Sequence, residues 1–204
     1  MSPKTPKKIV GLSTNQKTLK RVLDVVLSIT LIPIFILPIS ILIIAASLDT
    51  KGVGLFFQNR VGQYRKVFTI VKIRTFNETG KVSKYSATIR KYKLDELPQL
   101  FNILVGQMSF VGPRPDVFEV MNYLPTTDQI ILTIKPGLTG PASLHYFNEE
   151  EILKTQQDPI EYNIKVLFPS KNAINKEYIK NYHIFNDLKY IYKTTLYVFQ
   201  NMAL

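Results

Sequence analysis

The chain of 204 residues contains no cysteine. That absence excludes disulfides, thiolate nucleophiles and cysteine-based metal sites, and it fits a cytosolic face. Histidine is nearly absent too. His145 and His183 stand far apart, so a histidine-rich metal site is not expected. Acid is scarce relative to base, with 15 Asp+Glu against 26 Lys+Arg and a net charge of +11. Such a surplus favours anionic partners: nucleic acid, anionic lipid headgroups or phosphorylated small molecules. No zinc spacing and no recurring basic-aromatic pattern supports nucleic acid, which is set aside. No internal repeat is visible. The length suits one sizeable domain plus a membrane element rather than two full domains.

Charge is also missing from residues 25–46, which are almost wholly apolar and long enough for a bilayer core that takes about 20 residues. Before it, residues 1–19 carry Lys4, Lys7, Lys8 and Lys17, no acid, and Pro3, Pro6 and Gly11, and read as a mobile basic tail. The run is long for a signal peptide and lacks a clear cleavage site. Pro33 and Pro38 fall inside it, and each removes a backbone donor and predicts a kink or break. Lys51, Arg60, Arg65 and Lys66 follow it, so both flanks are basic. The positive-inside rule then puts both ends on the cytoplasmic side. A straight span meets the length. A re-entrant helix-break-helix meets the prolines and the flanks as well. Asp24 is expected at the interface, neutralised locally by Lys20 or Arg21.

Further on, residues 55–62 and 66–74 alternate as two strands of a β-hairpin around Gly62-Gln63-Tyr64-Arg65. Residues 75–88 read as a surface loop. Leu97, Leu100, Phe101 and Leu104 predict a helix from near Asp95 to Gly106. Residues 135–141 are turn-rich, and residues 149–165 suit a polar helix. A long helix from about Lys176 to Phe199 lines up Ile179, Tyr182, Phe185, Leu188, Tyr192 and Leu196. Those aromatics suit a membrane interface or a core-facing helix equally.

The densest chemistry lies in Lys93-Leu94-Asp95-Glu96-Leu97-Pro98-Gln99 and in Gly112-Pro113-Arg114-Pro115. Asp95 and Glu96 have an ordinary reading, as an N-cap and a first-turn acid of the helix. They also have a chemical one. A helix start attracts phosphate, one carboxylate there is placed to attack phosphorus, and hard oxygen ligands suit Mg²⁺. Proline on both sides holds Arg114 extended, which suits bidentate phosphate binding, although an ordinary turn with a solvated Arg gives the same pattern. Lys72, Arg74 and Arg90 are basic residues near these motifs and read equally as surface charge. Gln99 and Asn102 serve as helix-surface groups or as substrate contacts.

These pieces together resemble the bacterial sugar transferases, the monotopic polyprenyl-phosphate phosphoglycosyl transferases. The matching residues are Lys20-Arg21-Val22-Leu23-Asp24, Phe57-Gln58-Asn59-Arg60-Val61-Gly62 and Phe68-Thr69-Ile70-Val71-Lys72-Ile73-Arg74-Thr75. Then come residues 94–102, residues 108–115, and Lys135-Pro136-Gly137-Leu138-Thr139-Gly140. The resemblance covers about residues 20–200. It implies a re-entrant membrane helix over residues 20–48, with Pro38, and Pro33 beside it, as the break. Residues 49–204 would form a cytoplasmic catalytic domain ending in an interfacial helix. The expected fold is α+β and mainly helical, a small domain with one β-hairpin.

The implied activity is that of a sugar-1-phosphate transferase. Asp95 would be the nucleophile that takes a phosphosugar from a nucleotide sugar, usually a UDP-sugar, releasing UMP. Glu96, with Asp95, would hold Mg²⁺, and Arg114, Arg90, Lys72 and Arg74 would bind phosphate. Polyprenyl phosphate would then accept the phosphosugar at the bacterial inner membrane, initiating capsule, exopolysaccharide, O-antigen or glycoprotein glycan assembly. A homodimer is compatible with this reading. A rival from another class is a catalytically inactive, membrane-anchored scaffold of a polysaccharide assembly complex, which has no need of an intact Asp95-Glu96 pair. The chain departs from the family pattern in three places. The loop between Arg74 and Arg90 is short, residues 141–148 differ after Gly140, and Leu37 replaces the Ser often found before the breaking proline.

Overall fold

Ser13 starts the first helix with a reciprocal cap. Its hydroxyl accepts from the Gln16 N–H at 3.3 Å, and the Gln16 side chain accepts from the Ser13 N–H at 2.8 Å. The computed structural model describes residues 11–202. In it this helix, α1, runs from Thr14 to Thr50, helical through both Pro33 and Pro38, and stops at Lys51 in the left-handed region. Residues 14–19, expected in the basic tail, therefore form the first turns of α1, while residues 1–10 of that tail lie outside the described residues. The hydroxyls of Thr30, Ser40, Ser47 and Thr50 each donate to the carbonyl four residues back. Such internal bonds are what polar groups need where water is absent.

Leu27, Leu31, Ile32 and Phe35 of α1 pack against the core, and Ile39 and Ala46 are buried. The remaining surface of α1 is still apolar, with Ile29, Ile34, Leu37, Ile41 and Ile44 exposed. An apolar helix surface left uncovered calls for lipid or a partner. By length and composition α1 is able to cross a membrane.

Both ends of α1 are tied to the same domain. At its start Arg21 donates to the Ile103 and Leu104 carbonyls at 2.7 and 2.6 Å, closing the end of a later helix. Asp24 is buried, but not in the local salt bridge expected of it. It accepts from the Ser109 hydroxyl and the Phe110 N–H, both at 2.9 Å, while Lys20 pairs with Asp187 at 2.6 Å. At the far end Asp49 accepts from Ser83 and Ser86 at 2.7 and 2.6 Å.

The hairpin forms as expected. Strand β1 (Leu55–Val61) pairs antiparallel with β2 (Val67–Ile73), Leu55 facing Ile73 and Val61 facing Val67. Next come α2 (Lys84–Lys91) and α3 (Gln99–Leu104), with a 3₁₀ turn over Leu94–Glu96 between them. Residues 84–88 thus belong to a helix rather than to the expected loop. Ser83 caps it by accepting from the Ser86 N–H. Strand β3 (Ser109–Val111) and the short α4 (Phe118–Met121) follow. Strand β4 (Gly137–Thr139), inside what reads as a turn-rich loop, pairs parallel with β3. A Cβ on Gly137 would sit 2.1 Å from the Gly112 nitrogen, so glycine is required for the two loops to meet.

The C-terminal third is helical: α5 (Pro141–His145), α6 (Glu149–Lys154), α7 (Pro159–Tyr162), α8 (Phe168–Lys180) and α9 (Ile184–Met202). The single helix expected from Lys176 is two helices, broken at residues 181–183. Likewise the polar helix expected over 149–165 is interrupted at residues 155–158, and its second part, α7, continues through a π-helical turn (Asn163–Leu167) into α8. Ile70, Leu100, Ile103, Met108, Val111, Ile131, Phe168 and Tyr178 form the core between hairpin, α3 and α8. The architecture is mainly helical α+β with one β-hairpin and a long apolar N-terminal helix.

Candidate active site

The dyad is set by a left-handed residue, not by a helix cap. Lys93, at φ 55°, turns the chain sharply after α2, and the 3₁₀ turn that follows points Asp95 and Glu96 inward. Neither caps α3, whose preceding residue is Pro98. The two carboxylates are only 8 % and 6 % exposed. Burying two adjacent acids is costly unless cations meet them. Two do. Lys72, on β2, reaches Glu96 at 2.9 Å and Asp95 at 3.7 Å. Arg114 grips Glu96 with both terminal nitrogens, at 2.5 and 3.3 Å. The proline-flanked loop and the hairpin thus converge on one side chain.

The compensation is uneven. Burial, with Glu96 alongside, pushes Asp95 up to about 6, against the smaller pull of Lys72, Lys93 and Arg114. Burial would raise Glu96 too, but Arg114 and Lys72 outweigh it and hold Glu96 well below the usual carboxylate range. Glu96 in turn raises Arg114 and fixes its charge. Two neighbouring carboxylates whose proton affinities are driven apart are an acid–base pair with assigned roles. Glu96 is the permanently charged member. Asp95 is the member that takes up a proton closer to physiological pH.

Three more predicted residues fall elsewhere. Arg74 donates to the Val53 carbonyl at 2.7 Å and lies over the Phe76 ring, holding the link from α1 to β1. Arg90 pairs with Glu150 at 2.7 Å at the edge of the site. Asn102 ties α3 to the hairpin, accepting from the Val71 N–H and donating to the Thr69 carbonyl, a structural rather than a substrate-facing use. Pro33 and Pro38 lie within α1.

The structure adds residues that the motifs do not announce. Glu149, at the start of α6, pairs with the buried Lys171 of α8 at 2.8 Å. Asp116 is raised by burial and by Glu149, against Lys171, and Arg60 is lowered by burial and by Arg114. The Lys93 ammonium lies over the Phe147 ring, 5.5 Å from its centre. Glu149 and Glu150 open the stretch expected as a polar helix, and nothing in that pattern singles them out. Lys171 carries no sequence signal at all.

A divalent cation suits the donor set in part. Among the described residues no three His, Asp or Glu gather at one point. Glu96 receives three contacts from Lys72 and Arg114, leaving about one of its four acceptor positions free. Among the described residues Asp95 has one ion-pair contact, the long one to Lys72. Mg²⁺ binds through one or two carboxylates plus substrate phosphates, which this pair allows.

The family model described as "Bacterial sugar transferase" matches residues 15–201. The chain is 35 % identical over 203 residues to a UDP-glucose:undecaprenyl-phosphate glucose-1-phosphate transferase of Klebsiella pneumoniae, covering 90 % of this chain and 41 % of that protein. To the protein of that name from Escherichia coli it is 30 % identical over 219 residues, 98 % of this chain and 44 % of the relative. An exopolysaccharide production protein ExoY of Rhizobium meliloti is 28 % identical, with 77 % and 75 % covered. The chain thus spans less than half the length of the first two.

Proposed function

The chain belongs to the bacterial sugar transferase family, and we propose that it transfers a sugar 1-phosphate from a UDP-sugar to undecaprenyl phosphate, or a similar polyprenyl phosphate, through a covalent intermediate on Asp95. The observation that carries this is the divided dyad: one buried carboxylate neutralised by Lys72 and Arg114, its neighbour left underpaired.

In the first step an Asp95 carboxylate oxygen attacks the phosphorus that bears the sugar. The bond from that phosphorus to the bridging oxygen breaks, and UMP leaves with the electron pair. In the second step a phosphate oxygen of the polyprenyl phosphate attacks the same phosphorus. The Asp95–phosphorus bond breaks, restoring the carboxylate and giving a polyprenyl-diphosphate sugar. Splitting one displacement into two means that a soluble donor and a lipid acceptor need never share the site. Glu96 keeps Lys72 and Arg114 in place beside the nucleophile, and both remain donors for phosphate oxygens. Asp95 and Glu96 would hold Mg²⁺, which when bound offsets the charge of the pyrophosphate. Arg90 engages Glu150 through one terminal nitrogen, and its other N–H groups remain donors.

The topology fits a monotopic enzyme on the cytoplasmic face of the bacterial inner membrane. Residues 20–24 and 49 of α1 hold to one domain, so a re-entrant path for the segment between them is favoured over a crossing. Single cysteines Asn15→Cys and Gly52→Cys should then label from the same side of sealed vesicles; opposite sides would restore a straight span. The reaction itself is tested by UMP release from UDP-sugars with purified chain, Mg²⁺ and polyprenyl phosphate. Donor-dependent release is expected. Silence from folded protein would leave the scaffold reading instead.

A further inference from the structure

Lys93 differs from the other basic residues around the dyad in two ways. Its backbone stands in the left-handed region, at φ 55° and ψ 21°, where a side chain is disfavoured and glycine is at ease. Its ammonium has no carboxylate partner among the described residues. It lies instead over the Phe147 ring, and Phe147 is backed by Tyr197 of α9, with ring centres 4.1 Å apart. The other cations are engaged. Glu96 holds Lys72 and Arg114, Glu150 holds Arg90, and Glu149 holds Lys171. Arg60 donates to the Pro115 carbonyl and to Gln58.

The difference matters for charge. Lys72 and Arg114 face Asp95 and Glu96, so with both acids ionised the centre is electrically balanced. A nucleotide-sugar diphosphate brings further negative charge and needs a cation that is not already cancelled. An aromatic ring seats a cation through its quadrupole and carries no net charge, so it holds the ammonium without neutralising it. A carboxylate in the same place would have removed that charge from the site. Lys93 is half-buried, which leaves it within reach of a ligand. It is also close enough to Asp95 to favour the ionised carboxylate. A long cationic side chain kept beside the nucleophile, at a backbone position that disfavours it, points to use rather than to packing.

We infer that Lys93 binds the diphosphate of the nucleotide-sugar donor, and that Phe147 is a positioning residue that holds the Lys93 ammonium beside Asp95 with its charge intact. The inference rests on the reading above that the donor is a UDP-sugar.

The test measures UDP binding to the full chain by calorimetry with Mg²⁺, and KM and kcat for UMP release from UDP-sugars. Lys93→Met is expected to weaken UDP binding and raise the donor KM by about 10–100-fold, the scale of a contact to a charged group, with a smaller change in kcat. Lys93→Arg keeps a cation over the ring and should restore most of the affinity. Lys93→Gly relieves the left-handed backbone, so it should melt no lower than wild type and still lose the affinity. Phe147→Leu should weaken UDP binding by about 3–10-fold in the wild-type background and have no effect in Lys93→Met. Equal losses in both backgrounds would make Phe147 merely structural and overturn its role. Lys91 is an exposed lysine over the Tyr92 ring, and Lys91→Met should leave UDP binding unchanged. Unchanged UDP affinity in Lys93→Met, or an equal loss in Lys91→Met, would overturn the inference with the reaction intact. A wild type that binds no UDP would overturn it as well. Binding that is lost only in Lys93→Met, without UMP release from any donor, would take down the reaction and keep the diphosphate contact.

Discussion

The chain buries two clusters of charge, and they are built to opposite ends. In one, Asp187 of α9 is 1 % exposed and receives Lys20 at 2.6 Å, Tyr178 at 2.6 Å and Tyr182 at 3.1 Å. Both oxygens are occupied, and the arrangement locks α9 to the start of α1. In the other, Lys72 and Arg114 concentrate on Glu96 and leave Asp95 with one contact at 3.7 Å. The first cluster spends its partners on holding helices together. The second withholds them from one oxygen pair, and that residue stays chemically available. Satisfied burial makes structure, and uneven burial makes a reactive group.

Replacing the underpaired acid of this contrast should have the largest effect. Asp95→Asn is expected to lower UMP release by at least about 10⁴-fold, the scale seen when a covalent nucleophile is removed. Its melting temperature should hold or rise, because a buried, undercompensated charge is gone. A mutant that melts well below wild type would make Asp95 structural and erase the distinction.

The opposite outcome is expected at Asp187. Asp187→Asn leaves Lys20 buried without its counter-charge and should cost about 3–5 kcal/mol in denaturant unfolding. Turnover per folded molecule should stay near wild type. A folded variant with catalysis lost would join the two clusters functionally.

A third variant, Arg114→Lys, keeps the charge but not the two-pronged grip on Glu96. UMP release is expected to fall about 10²–10³-fold. Its pH profile should shift upward, since less positive charge then reaches Asp95. An unmoved profile would deny that coupling.

The smallest effect is the pH response of the wild type. Asp95 is raised to about 6 and must be ionised to attack. UMP release should therefore rise with pH to a plateau above about 6 and fall about tenfold per unit below it. Stability runs the other way for this residue. The folded form binds the Asp95 proton more tightly than the unfolded chain, so its contribution is fullest in acid and lost as pH rises through about 6. Glu96 has the contrary sign, its contribution present above its unfolded value and lost on acidification. A stability difference between wild type and Asp95→Asn that does not change across pH 4–7 would remove the uneven burial from the account.

Much of this was legible in the chain. The hairpin announced itself through alternation around Gly62, and the apolar helix through its length. Asp95, Glu96 and Arg114 stood out as candidates, but their residues alone fitted a helix cap and an ordinary turn equally, and only the family resemblance gave them roles. Lys72 was one cation among many until β2 aimed it at Glu96, whereas Arg74, two residues on, turned to the Val53 carbonyl. The parallel pairing of β3 with β4 was hidden because its partners are far apart in sequence and only three residues long. Glycines that looked like turn formers are there to let two backbones touch.

Sequence alone determined that a long apolar helix carrying two prolines precedes a basic domain, and it marked two adjacent acids and a proline-flanked arginine as candidates. Those are local patterns, written in residues within a few positions of one another. Tertiary structure decided which cations serve which carboxylate, and so which acid is held charged and which is left underpaired. Such assignments depend on distances between segments, and distance between segments is what folding creates.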